Sequence, residues 1–332
     1  MADSDLMGEH LAATIPKYMR GRVEGFIDGN ILLNTLRRKG RISHNGGGSQ
    51  LEWRVRLSRH EHVAERKAVG VITDRTFQTD AIDEIATLAW TKYESTVAVP
   101  QDYIDLNKAT PSKIFDYFRS QVSSFADDTF EAFDAECYSD GTTTNQIKGL
   151  AAFISATPTS GSYAGINRGT FTQWANQAVV VGDYSSWAAD GIEMVRDLSV
   201  AIQEDGGRRP DIGILTFTDY GTLLDALYTK TTVNAEANRD SRLWTLGFDN
   251  VVIQGIPLVP AQNCTASRVF ALNSDKIELV TVPLEGAEQE DDIFATFYDR
   301  DRVYTDAIAI VTKAICQLKC DLPLPQGIIT TA

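Results

Sequence analysis

The chain has 332 residues, 43% hydrophobic and 23% charged, with a net charge of −14. That length supports a sizeable core and about two domains. No apolar run approaches membrane-spanning length, and the acidic balance argues against a dedicated nucleic-acid binder.

The N-terminus, Met1-Ala2-Asp3-Ser4-Asp5, is acidic and lacks the basic-then-apolar order of a secretory signal, so folding in a cytoplasm is expected. Residues 1 to about 40 begin polar and end in a short helix. Asn30 can cap it, Ile31, Leu32, Leu33 and Leu36 give it one apolar side, and Arg37-Arg38-Lys39-Gly40 closes it. His44-Asn45-Gly46-Gly47-Gly48-Ser49 reads as a hinge, since it lacks the Gly-Lys-Ser/Thr ending of a phosphate loop. Beyond it the sequence alternates: Leu51, Trp53, Val55 and Leu57 on one face, Glu52, Arg54, Arg56 and Ser58 on the other. With Ala68-Val69-Gly70-Val71-Ile72 as a returning strand, residues 49–78 form a long projecting hairpin with little core of its own.

Residues 85–99 are extended, and Thr110-Pro111 then opens the clearest helix, with threonine at the N-cap and proline at N1. Its apolar positions are Ile114, Phe115, Phe118, Val122, Phe125, Phe130, Phe133 and Cys137, and Ser139-Asp140-Gly141 ends it. A helix over 111–138 would be about 42 Å long. From 146 to 282 helices and strands alternate: a helix over Asp190 to Glu204, a buried strand over Ile212 to Phe217, a helix around Leu223, Leu224 and Leu227. Short strands follow at Phe248 to Ile253, Ile256 to Val259 and Val269 to Leu272. The tail carries strands over Phe294 to Tyr298 and Val303 to Leu318. The fold class is α+β.

No catalytic constellation converges. The histidines are His10, His44, His60 and His62, none in the α/β region, and His60-Glu61-His62 reads as a solvated turn. The serine of Gly161-Ser162-Tyr163-Ala164-Gly165 is one place too early for a nucleophile elbow. Asp299, Asp301 and Asp306 alternate with Arg300 and Arg302, which suits an exposed or interface face, and the Asn263-Cys264-Thr265 sequon reads as chance. Cys137 and Cys264 are isolated; Cys316 and Cys320, on one strand, would sit about 13 Å apart, too far to bond. All four read as buried, small apolar residues in a reducing compartment. No catalytic, cofactor-binding or metal-binding residue is expected, and no cofactor.

Charge is unevenly placed. Residues 37–67 hold nine Lys or Arg and three acids, a net +6, whereas residues 111–140 carry a net −5.

The order of parts resembles the tailed-bacteriophage major capsid family, whose coat fold encapsulins share. Local phrases add to it: Gly149-Leu150-Ala151-Ala152-Phe153-Ile154, Gly165-Ile166-Asn167-Arg168-Gly169-Thr170 and Trp174-Ala175-Asn176. Later come Leu246-Gly247-Phe248, Gly255-Ile256-Pro257-Leu258-Val259 and Leu272-Asn273-Ser274-Asp275. The resemblance implies an N-terminal arm (1–48) and an extended loop (49–78). It implies a peripheral domain (79–145 and 283–320) with spine helix 111–138, and an axial domain (146–282 and 321–332). It also implies a virion location after assembly in a host bacterial cytoplasm, and a shell of pentamers and hexamers of this chain around double-stranded DNA without sequence specificity. The implied partners are a separate scaffolding protein, a portal protein and a decoration protein, with no membrane. In that family the extended loop lies over an adjacent subunit, so Arg54, Arg56, Arg59, Arg66 and Lys67 are expected to face Asp127, Asp128, Glu131 and Asp134 of a neighbour; a solvated or DNA-facing basic stretch is the alternative. The competing readings are an encapsulin-like compartment, marked by a cargo groove near the N-terminus, an α/β enzyme with an unrecognised site, and another phage structural component.

Overall fold

A computed structural model describes residues 18–45, 47–58, 82–100, 102, 111–206, 208–230, 250–284, 293–299 and 307–331. The first element is a helix that the sequence reading did not foresee, α1 (18–29). Met19, Val23 and Ile27, four residues apart, bury one flank of it. Asn30 breaks the helix and caps the next: its side-chain oxygen accepts the Leu33 N–H at 3.1 Å, opening α2 (Ile31–Arg38). Gly40 follows at φ 63°, and β1 (Ile42–His44) leads to the hinge.

The alternating stretch is β2 (Gln50–Arg56), with Leu51 and Val55 buried and Glu52, Arg54 and Arg56 exposed. Its partner is β3 (Asp83–Ala89), antiparallel, with Leu51 opposite Leu88 and Arg56 opposite Asp83. The expected return strand at Ala68–Ile72 lies outside the described residues. The apolar face of this hairpin root is not left for a neighbour. Trp53 lies 6.5 Å from Tyr163, the Lys319 ammonium sits 5.8 Å over its ring, and the Thr87 N–H donates to the Ala164 carbonyl at 3.0 Å. The surface that the apolar stripe of 50–57 needs is thus supplied by the same chain.

After β4 (Thr91–Pro100) comes the spine, α3 (Pro111–Cys137). Val122, Ala126, Phe130, Phe133 and Cys137 are buried along one side, while Phe125 is only half-buried. Phe26 of α1 stacks on Phe130 at 4.9 Å. Gly149 presses on the end of the spine so closely that a Cβ there would lie 2.5 Å from the Glu136 and Cys137 carbonyls. It precedes α4 (Leu150–Phe153) and a hairpin of β5 (Ser162–Tyr163) and β6 (Ile166–Asn167). The loop of that hairpin, Ala164-Gly165, has positive φ at both positions, the combination that follows strand twist in a two-residue turn.

Two sheets organise the rest. The six-stranded sheet runs β7 (Gln177–Val180), β15 (Gly327–Thr330), β11 (Arg268–Leu272), β8 (Ile212–Leu215), β10 (Ile256–Pro260), β9 (Val251–Ile253). Leu215, Ile256, Leu258, Val269, Ala271 and Ile329 pack with α5 (Trp187–Gly206) and α6 (Phe217–Lys230). Ile212, Ile214, Val259, Phe270 and Ile328 belong instead to the larger core. Strands buried on both faces explain the near-continuous apolar runs there.

The five-stranded sheet is built on β14 (Ala307–Cys320). β4 pairs along one edge of β14, and β13 (Ala295–Asp299) and β12 (Ile277–Thr281) pair in tandem along the other, with β1 parallel outside β12. The sequence reading grouped 277–281 with the alternating α/β region; its pairing places it in this sheet. Cys316 and Cys320 are buried on one face of β14, unbonded like Cys137 and Cys264, and burial pushes the Cys316 thiol up to about 12.

Candidate assembly surface

The nine side chains singled out for an inter-subunit contact separate into three groups. Arg54 and Arg56 stand exposed on the outer face of the hairpin root. That face also carries Glu52, Asp83 and Ile85, the last 55% exposed, so it is charge-balanced and partly apolar, not simply basic. Arg59, Arg66 and Lys67 lie outside the described residues.

On the spine, Asp128 and Glu131 are exposed. Asp127 already has a partner in its own chain, since Arg22 of α1 donates to both of its oxygens at 2.7 Å. Asp134 is buried, 8% exposed, where the side-chain amides of Asn30 and Asn263 donate to it, the latter at 2.9 Å. Burial pushes its carboxyl above the ordinary range, the Asn263 and Asn30 hydrogen bonds oppose this, and the charge of Glu131 adds to the rise. Asp134 therefore faces its own fold and is withdrawn from the expected contact. The asparagine of the sequon, Asn263, is spent on the same buried carboxyl.

Between α1, the C-terminal half of the spine and the Pro260–Asn263 turn lies a groove of about 720 Å³. Its walls include Phe26, Phe130 and Asp134, with Phe217 at the rim, 62% exposed. Gly21, Gly25 and Gly29 recur every fourth residue along α1, and nothing lies within 4 Å of where their Cβ atoms would be. The buried Tyr138 hydroxyl at its floor has no hydrogen-bond partner among the described residues. The sequence reading missed α1 and this groove, although Met19, Val23 and Ile27, interleaved with three glycines at the same spacing, carried the signal.

The remaining candidates have structural duties or lie outside the described residues. The ring Nδ1 of His44 lies 2.6 Å from the Thr281 hydroxyl, tying β1 to β12. His10, His60, His62, Asp301 and Asp306 lie outside the described residues. Among the described residues no three potential metal ligands cluster, and no helix is long and apolar enough to cross a membrane.

No protein-family model matches the sequence, and no curated protein matches it. Solved structures do match in shape. The chain is similar to one from the cyanophage A-1(L) capsid asymmetric unit, 20% identical with a TM-score of 0.65, over 88% of this chain and 90% of that one. A chain of Mycobacterium phage Bobi is 12% identical with a TM-score of 0.52, over 88% and 89%. The holo-SrpI encapsulin of Synechococcus elongatus is 9% identical with a TM-score of 0.51, over 89% and 87%. With the hairpin root, the spine helix and the two sheets in this order along most of its length, the chain has the fold of the tailed-phage major capsid proteins, a fold that encapsulins share.

Proposed function

We propose that this chain is the coat subunit of a tailed-phage head, tiling an icosahedral shell around double-stranded DNA. The observation that carries the proposal is the similarity, over nearly nine-tenths of both chains, to a cyanophage capsid subunit. Identical copies close such a shell through repeated heterologous contacts around its symmetry axes. A net charge of −14 suits a container whose wall should not bind the packaged polyanion. Within this proposal the partners are other copies in pentamers and hexamers, a scaffolding protein, a portal and a decoration protein, with assembly in the host cytoplasm.

The 49–78 loop reaches a neighbouring subunit, and its outer face, with Arg54 and Arg56, meets Asp128 and Glu131 there. Arg59, Arg66 and Lys67 of the same loop belong to the same proposed contact. Electron microscopy of the purified, concentrated protein tests the reading: closed shells are expected, and only single particles would count against it.

The groove beside α1 favours a second reading, an encapsulin-like compartment that holds a protein cargo in a cleft near the N-terminus. Particles from the native source separate the two, since a phage head holds nuclease-protected double-stranded DNA and a compartment holds protein.

A further inference from the structure

The chain steps from one sheet to the other at Asn273–Lys276, between β11 and β12, and again at 321–326, between β14 and β15. The two steps are bolted together by neutral, buried groups. The Asn273 N–H donates to the Gln326 side-chain oxygen at 2.8 Å, and the Gln326 amide donates back to the Asn273 carbonyl at 3.0 Å. The Asp321 N–H donates to the Lys276 carbonyl at 2.8 Å.

A charged layer lies over this joint, and the segment joining α2 to β1 supplies part of it. Arg41 reaches Asp321 at 3.4 Å, and Lys319 reaches Glu278 at 2.8 Å and Asp321 at 3.5 Å; these pairs stay on the side of the five-stranded sheet. Lys39 does something different. Its ammonium bonds Asp275 at 2.8 Å, on the first step, and also Asp211, the residue before β8 of the six-stranded sheet. Asp211 in turn accepts the Ser274 N–H at 2.8 Å and the Ser274 hydroxyl. Burial pushes the Lys39 ammonium down, but the hydrogen bonds and charges of both carboxylates outweigh this and leave it above its ordinary value. The bridge is partly exposed, so its net contribution is small and salt weakens it. The Asn273–Gln326 pair beneath it is shielded from both effects.

We propose that Lys39 is a releasable latch: it straps the helix-to-strand turn of the N-terminal region across the joint and holds the two sheets at one angle. Breaking its double bridge loosens the strap over the joint, which the Asn273–Gln326 pair still holds, while each sheet stays intact. In a shell of identical chains, where subunits sit around different symmetry axes, such a latch sets how readily a subunit changes shape. That consequence rests on the coat reading; the latch itself does not, and it is measured on unassembled subunits.

The test is hydrogen–deuterium exchange on the full chain for the wild type, Lys39→Met and Lys39→Arg. Lys39→Met is expected to speed exchange of the Asp211, Ser274 and Asp321 amides roughly twofold to fivefold, the size of a partly exposed ion pair, with β8 and the interior of β14 unchanged. Lys39→Arg restores protection. Unchanged exchange at those amides, or an acceleration shared by β8 and β14, overturns the proposal. Should Lys39→Met fail to fold, Asp275→Asn removes one arm of the bridge at an exposed position, and the same local pattern is required of it.

Discussion

Replacing Phe133 by alanine tests whether the spine helix is held by its phenylalanine side. The ring has no solvent exposure and meets Tyr93 at 5.6 Å and Phe294 at 5.0 Å, edge-on to both. It thus joins the spine to β4 and to the segment that enters β13. Removing roughly 150 Å² of buried aromatic surface at about 25 cal/mol per Å² costs about 4 kcal/mol. The two edge contacts add to this and partial collapse subtracts, so about 3–5 kcal/mol is expected. Tyr93 keeps its hydroxyl bond to the Thr129 carbonyl at 3.1 Å, which limits how far it can move to fill the hole. Phe125, half-buried on the same helix, is the control, and its truncation should cost about half as much or less. Urea unfolding of the unassembled subunit, followed by far-ultraviolet circular dichroism, reads the difference. With a denaturant slope of about 2–3 kcal/mol per molar, Phe133→Ala should lower the midpoint by more than about 1 M. An equal loss at both positions, or a loss below about 1 kcal/mol at Phe133, would show that the spine is anchored elsewhere.

Gly149→Ala drives a methyl into the last carbonyls of the spine and should abolish soluble protein, whereas Gly182→Ala, with open space at its Cβ, should express normally. Because burial raises the Asp134 carboxyl in the folded state, the folded chain holds a proton that the unfolded chain releases, and wild-type stability falls as pH rises through that window. Melting temperatures of wild type and Asp134→Asn, compared upward from about pH 4, should therefore shift in favour of the variant until the folded carboxyl has ionised; a constant difference would show that Asp134 is ionised throughout. Arg54→Glu with Arg56→Glu should leave the unfolding free energy within about 0.5 kcal/mol of wild type yet slow assembly at low salt, as light scattering would show. Glu131→Lys should partly restore the rate, and wild-type assembly by the reversed hairpin would remove these arginines from the contact.

Much of the architecture was legible because local signals agreed with each other. Thr110-Pro111, the repeating phenylalanines and Ser139-Asp140-Gly141 together specify one helix, and the observed spine covers Pro111–Cys137. The period-two pattern from Leu51 to Leu57 likewise fixed which side chains are buried. Pairing was less legible. Nothing local says that β2 takes Asp83–Ala89 as its partner, or that Ile277–Thr281 leaves the α/β region to join β14, because register is set by distant strands. The contact residues were read from charge and from the resemblance, and neither reports accessibility. Asp127 and Asp134 lie on one helix, seven residues apart, yet one is exposed to Arg22 and the other is buried under two asparagines.

The pairing of β14 and β15 dictates an order of events during synthesis. β14 is the strand on which β4, β12 and β13 all pair, and β15 lies inside the six-stranded sheet between β7 and β11. Neither sheet can reach its native pairing until residues 307–330 have left the ribosome. Until then β4, β7 and β11 each expose an unpaired edge, and β1 must find β12 across more than two hundred residues of chain. Closing loops of that size is slow, and open edges of that kind pair with other chains. A nascent subunit of this topology is thus a natural client for a folding chaperone. Its yield should respond more to the rate of chain release and to chaperone supply than to the stability of the finished fold.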